Sequence, residues 1–185
     1  MTGDQQRQRF REVVLPHLDD ALSLARWLTG NATDAEDVVQ DACIRAFGAI
    51  ANLRDGNPRA WLLSIVRNTA FTWLAKNRPK TLVVTDDVRV FEEAHLQMID
   101  RQAPATPETL LIQKADGEIL TRAIAALPLD YREVLVLREI EGLSYREIAE
   151  ITGVPAGTVM SRLARARIQL IQRIGMNQSG KAGAA

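Results

Sequence analysis

The stretch that most limits what this chain can become runs from Leu143 to Leu170, LSYREIAEITGVPAGTVMSRLARARIQL. Ser144 and Glu147 have the spacing of a capping box, so a helix is expected to start at Tyr145. Ile148 falls on its inward side, and Ala149 is small where two helices would cross closely. Gly153 follows four residues later, where a tight turn needs a positive φ. Val154 can plug the corner, and Pro155 suits the start of a second helix. On that helix Val159, Leu163, Ala166 and Leu170 recur on one face, and Thr158, Ser161, Arg162, Arg165 and Gln169 on the opposite one.

This is the helix-turn-helix pattern, whose second helix lies in a DNA major groove. Threonine and serine can bond bases or phosphates. An arginine can grip guanine O6 and N7 with two bonds, while other cations hold phosphates and set register. The small residue, turn glycine, plug and acid-free arginine face together favour DNA binding over a helical hairpin with a solvated basic face.

The chain as a whole is neutral, with Lys+Arg 23 and Asp+Glu 23. That neutrality is a sum over unlike surfaces, and a polyanion responds to a patch more than to a total. From Gly153 to the C-terminus the charged residues are Arg162, Arg165, Arg167, Arg173 and Lys181, with no acid among them. Acids cluster instead at Asp34, Glu36, Asp37 and Asp41 and again after Thr81. Such blocks could also pack one part of the free chain against another.

Helix-period spacing dominates elsewhere. In FREVVLPHLDDALSLARWLTG, Phe10, Val13, Val14, Leu18, Leu22, Ala25 and Leu28 share a face, Pro16 interrupts it, and Gly30 stops it. In NATDAEDVVQDACIRAF, Thr33 with Glu36 reads as a capping box, with Val38 and Ala42 inward and Asp34, Asp37, Gln40 and Asp41 on a polar face. PRAWLLSIVRNTAFTWLAKNR reads as a long helix from Pro58, ended by Pro79. A linker with little periodicity follows, including one isolated β-rich run, Thr81–Phe91. PETLLIQKADGEILTRAIAAL and PLDYREVLVLREIEG then read as two more helices.

The expected fold is therefore all-α, two small helical domains joined by a flexible linker. The first spans 8–79, the linker 80–106, the helix-turn-helix domain 107–175, and a disordered tail 176–185. No apolar run is long enough to span a bilayer, and the polar N-terminus lacks the apolar core of a signal peptide, so a cytoplasmic location is expected. An enzyme is not expected. His17 and His95 are far apart, and the lone Cys43 reads as a small hydrophobe, so neither a metal site nor a cofactor is expected.

From Phe10 to Ile174 the chain resembles bacterial extracytoplasmic-function sigma factors of the sigma-70 family. DAEDVVQDACIRAF resembles the segment that docks on the β′ clamp helices of RNA polymerase. RAWLLSIVRNTAFTWLAKNR resembles the segment that reads and opens the −10 element, and LPLDYREVLVLREIEGLSYREIAEITGVPAGTVMSRLARAR resembles domain four, which reads the −35 element. The resemblance implies core RNA polymerase as partner, through the β′ clamp helices and the β flap, together with promoter DNA and an anti-sigma factor. It implies no membrane insertion and a monomer when free. It assigns Asp34, Asp37, Gln40 and Asp41 to polymerase, and Asn57, Asn68, Thr72 and Trp73 to the −10 element. Thr158, Ser161, Arg162 and Arg165 go to the −35 element. Asn68 would read an unstacked base, the loop Asn52–Asn57 lies where the family holds a flipped base, and Trp73 is either a stacking platform or core. Thr72 stands where the family often has an acid, which leaves the −10 preference open. Two other functions fit parts of the pattern: a helix-turn-helix regulator acting without polymerase, and a sigma-like decoy of an anti-sigma factor.

Overall fold

The computed structural model describes residues 2–53, 56–77 and 117–182, and every regular element among them is helical. The linker 80–106, the run Thr81–Phe91, His95 and the first residues of the helix expected from 107 lie outside the described residues.

The first bundle contains α1 (Gly3–Val13), α2 (Leu18–Thr29), α3 (Ala32–Ala49) and α4 (Pro58–Asn77). Pro16 sits in a 3₁₀ turn, Leu15–His17, that separates α1 from α2 as its ring requires. Gly30 ends α2 at φ 68, a left-handed cap open to glycine at no steric cost. α1 begins earlier than apolar spacing suggests. It has no buried residue and is held by a Thr2–Gln5 capping box, with Gln6 and Arg9 donating to the Phe47 and Leu53 carbonyls. The expected capping box of Thr33 with Glu36 does not form. Asn31 takes the cap instead, accepting from the Asp34 N–H at 3.0 Å, and this leaves Thr33 inside the first turn. The core of this bundle is Leu24, Trp27, Leu28, Val38, Ala42, Leu62, Leu63 and Val66.

The second bundle contains α5 (117–125), α6 (Leu129–Leu135), α7 (Tyr145–Thr152) and α8 (Ala156–Ala182). α6 continues into a single wide turn, Val136–Ile140, in which the Glu141 N–H donates to the Val136 carbonyl five residues back. α8 runs on as helix to Ala182, through most of the tail expected to be disordered from 176. No proline interrupts its backbone ladder in that span.

The two bundles touch. α2 packs on α6, and α4 packs on α7. Arg132 of α6 is 1% exposed, and its guanidinium donates to the carbonyls of Ala125, Leu127 and, across the seam, Trp27. A buried cation needs this density of acceptors to offset lost hydration.

Candidate nucleic-acid interface

The helix-turn-helix is built by its own local sequence. Ser144 caps α7, accepting from the Glu147 N–H, while Glu147 Oε2 accepts from the Ser144 N–H at 2.8 Å and hydroxyl at 2.7 Å. These donations hold the Glu147 carboxyl below its ordinary pKa. Gly153 takes φ 70, and nothing lies within 4 Å of where its Cβ would be, so backbone angle and not crowding selects glycine there. Ile148 of α7 and Val159, Leu163 and Ala166 of α8 are buried, as their spacing requires, and α8 packs on both α6 and α7.

That packing turns the other side of α8 outward. Ser161 and Arg165 are exposed and Thr158 is half-buried, with the Ser161 hydroxyl donating to the Thr158 carbonyl. Arg162 lies nearer the helix contact and pairs with Asp130 of α6 at 3.2 Å. Arg167 pairs with Glu139 at 2.5 Å. Part of the positive charge of α8 is therefore offset inside its own bundle, which the absence of acids on α8 itself conceals.

The residues expected to face a −10 element lie along α4. Asn57 caps that helix, its Oδ1 accepting from the Ala60 N–H at 3.2 Å, and its Nδ2 donates to Glu147 Oε1 at 2.6 Å. Asn68 is exposed, and its Oδ1 accepts from Arg67 at 3.2 Å. The Thr72 hydroxyl donates back to the Asn68 carbonyl. Trp73 and Trp61 both lie half-buried against the core, while Trp27 is the fully buried indole. Of the pocket loop, residues 54 and 55 lie outside the described residues.

Two arginines that the sequence reading passed over dominate this helix. Arg59 is bound by Asp20 at 2.5 Å, by Glu141 Oε2 at 2.7 Å and by the Glu141 carbonyl at 2.8 Å. The Ser23 hydroxyl donates to the other Glu141 oxygen at 2.9 Å. Arg67 pairs with Glu133 and lies 3.8 Å over the Phe71 ring. The Glu133 side chain is 0% exposed and that of Glu141 4%. Burial pushes the Glu133 carboxyl up, and its bond and charge attraction to Arg67 pull it back.

The acidic face of α3 lies away from this seam. Asp37, Gln40 and Asp41 are exposed, and Asp34 is half-buried. Ile44, 67% exposed, and Phe47, edge-on to Phe10, continue the same side. The spacing 37, 40, 41, 44, 47 carries this mixed acidic–apolar surface in the sequence.

Comparison with known proteins matches residues 13–80 to the Sigma-70 region 2 family and residues 117–170 to the Sigma-70, region 4 family. Sigma factor SigE of Mycolicibacterium smegmatis, an ECF RNA polymerase sigma factor, is 36% identical over 188 residues, covering 100% of this chain and 69% of that protein. The ECF sigma-E factor of Escherichia coli K12 is 39% identical over 171 residues, covering 89% and 85%. Among solved structures, the sigma factor RpoE bound to the anti-sigma factor NepR from Bartonella quintana matches with a TM-score of 0.65 and 26% identity, covering 90% of this chain and 96% of that one. CnrH bound to the cytosolic domain of CnrY matches with a TM-score of 0.60 and 26% identity, covering 90% and 88%. With region 2 and region 4 matched in order and relatives more than a third identical along most of its length, the chain belongs to the extracytoplasmic-function sigma factors of the sigma-70 family.

Proposed function

We propose that this sigma factor works through three separate surfaces and no catalytic step. Residues 8–79 form the unit that binds core polymerase and the −10 element, and residues 107–175 the unit that reads the −35 element, with 80–106 as the tie between them. Asp34, Asp37, Gln40 and Asp41, extended by Ile44 and Phe47, meet the β′ clamp helices. Asn57, Asn68, Thr72 and Trp73 serve the −10 element. The caps and back-bonds of Asn57 and Thr72 leave Asn68 the best placed of the four to read a base. The half-burial of Trp73 favours support of α4 over stacking. Thr158, Ser161, Arg162 and Arg165 serve the −35 element, and the second unit also meets the β flap. The protein acts as a monomer in the cytoplasm, where its polymerase is, and an anti-sigma factor holds it inactive.

The observation that carries the reading is the capped turn at Ser144–Gly153, which presents exposed Ser161 and Arg165 on a helix whose opposite side is buried. The test is transcription of a genomic DNA library by core polymerase with and without the protein. New starts sharing two spaced upstream elements are expected. A discrete DNA site bound without polymerase would replace this reading with that of a regulator. Binding to polymerase with no new start would favour a decoy. Asp37→Arg should weaken assembly with core polymerase at least tenfold while leaving the helical circular-dichroism spectrum unchanged.

A further inference from the structure

Resting on that reading, we infer that Arg59 and Arg67 of α4 form a binding site for the phosphates of the promoter strand, which Glu141 and Glu133 of the second bundle occupy while the two bundles are packed together. Each arginine presents a planar set of donors to a carboxylate, the arrangement a guanidinium also makes with a phosphate. They stand eight residues apart on one helix, roughly 12 Å along its axis at about 1.5 Å per residue. Asn68 lies beside Arg67 and accepts a bond from it, so a strand held by Arg67 would pass next to the residue proposed to read a base.

The carboxylates come from outside α4's own bundle. Glu133 sits on α6 and Glu141 just beyond the wide turn that follows it. Beside apolar side chains that join both bundles in one buried cluster, further polar contacts cross the seam: Ser23 with Glu141, Asn57 with Glu147, and Arg132 with the Trp27 carbonyl. Contact surfaces between the domains of one chain resemble transient interfaces, and relative motion of the domains is the rule unless the surface is large and apolar. Arg59 stays bound to Asp20 of its own bundle, so separation frees only part of its guanidinium and leaves it aimed. Arg67 keeps its place over Phe71, also in its own bundle. Parting the bundles thus exposes two positioned cations and removes two buried anions from beside them. The closed chain is self-occluded on α4, and strand binding and closure exclude each other.

The experiment uses the full chain and a fluorescent single-stranded oligonucleotide of mixed sequence, read by anisotropy across a salt series, with small-angle scattering on the same samples. Glu141→Lys removes the carboxylate from Arg59 and leaves both arginines intact. It should enlarge the radius of gyration and raise oligonucleotide affinity at least fivefold. Adding Arg67→Ala to that variant should erase most of the gain and lower the salt slope by about one, as loss of one phosphate contact does. Should Glu141→Lys fold poorly, Glu133→Gln gives the same comparison with a smaller gain. Expansion without a gain in affinity, or neither change, would overturn the proposal. Library transcription by the wild-type protein, run in parallel, separates this failure from failure of the sigma-factor reading, since it does not require the arginines to be occluded.

Discussion

The arginines of α4 and those of α8 both have carboxylate partners, yet the partners differ in kind. On α8, Arg162 and Arg167 pair with Asp130 and Glu139 of the same bundle, and the acids' side chains are 54% and 48% exposed. Such pairs are typically worth about 0.2–1 kcal/mol, so an arriving phosphate can replace them without moving a helix. On α4, Arg59 and Arg67 pair with almost wholly buried acids across the seam. Removing one member of a buried pair leaves a charge without water or partner, which typically costs about 3–5 kcal/mol. One helix is ready in the free chain, and the other becomes ready only after a rearrangement. Where a partner resides decides this more than how many partners there are.

The strongest way to break the contrast is to remove the seam's buried cation. Arg132→Ala leaves the Trp27, Ala125 and Leu127 carbonyls without their donor. A loss of about 3 kcal/mol is expected in urea denaturation, together with a larger radius of gyration as α2 and α6 part. A smaller effect sharpens it. Arg165→Ala should weaken recognition of a −35 duplex by about 1–3 kcal/mol, and by the same amount in wild-type and Glu141→Lys backgrounds, because the α8 face does not depend on the seam. Unequal losses in titrations of the two backgrounds would show that the helices are coupled.

Asp130→Ala probes the weak side of the contrast. It should change stability by less than about 1 kcal/mol and steepen the salt dependence of duplex binding, as Arg162 is released to a phosphate. The smallest effect concerns Glu147. The Ser144 N–H and hydroxyl hold its folded carboxyl below the ordinary glutamate range, so its stabilisation is fully present above that range and is lost as pH falls through the folded pKa. Glu147→Gln should flatten the acid side of a stability-versus-pH curve measured by thermal melts below pH 5.

What the sequence disclosed follows from how far apart the interacting residues lie. Ser144, Glu147 and Gly153 act within one turn or one corner, and the structure has them as their spacing implies. Pro16 and Gly30 are equally local. The cap at Thr33 misled because Asn31, two residues earlier, offers an equally good acceptor and comes first. The first turns of α1, residues 3–9, were hidden because they are polar on every side and have no apolar period, and their anchors on Phe47 and Leu53 are distant in the chain. The burial of Arg132, Glu133 and Glu141 was the least accessible. A charge in an amphipathic run reads as solvated unless its partner is known, and the partners here are 66 to 118 residues away or are backbone carbonyls. The site expectations on α3, α4 and α8 rest on family likeness, whereas the buried pairings of Arg59 and Arg67 emerge only where two distant segments meet.

The wide turn at Val136–Ile140 has a consequence for how this chain can vary. Closing a ring from residue 141 to residue 136 accommodates one residue more than the usual four-residue step. Each residue of an ordinary helix advances the direction of its side chain by about 100°. The heading of Glu141 is thus a matter of counting, set by the number of residues in the turn and not by which residues they are. Exchanges of side chain within 136–140 can alter packing but leave that heading alone. A one-residue deletion there would restore an ordinary helix with Glu141 closing the same ring, whereas straightening the turn with no residue lost would swing the carboxylate about 100° away from Arg59. A relative one residue shorter here, with an ordinary helix in place of the wide turn, would hold its acid on the same side.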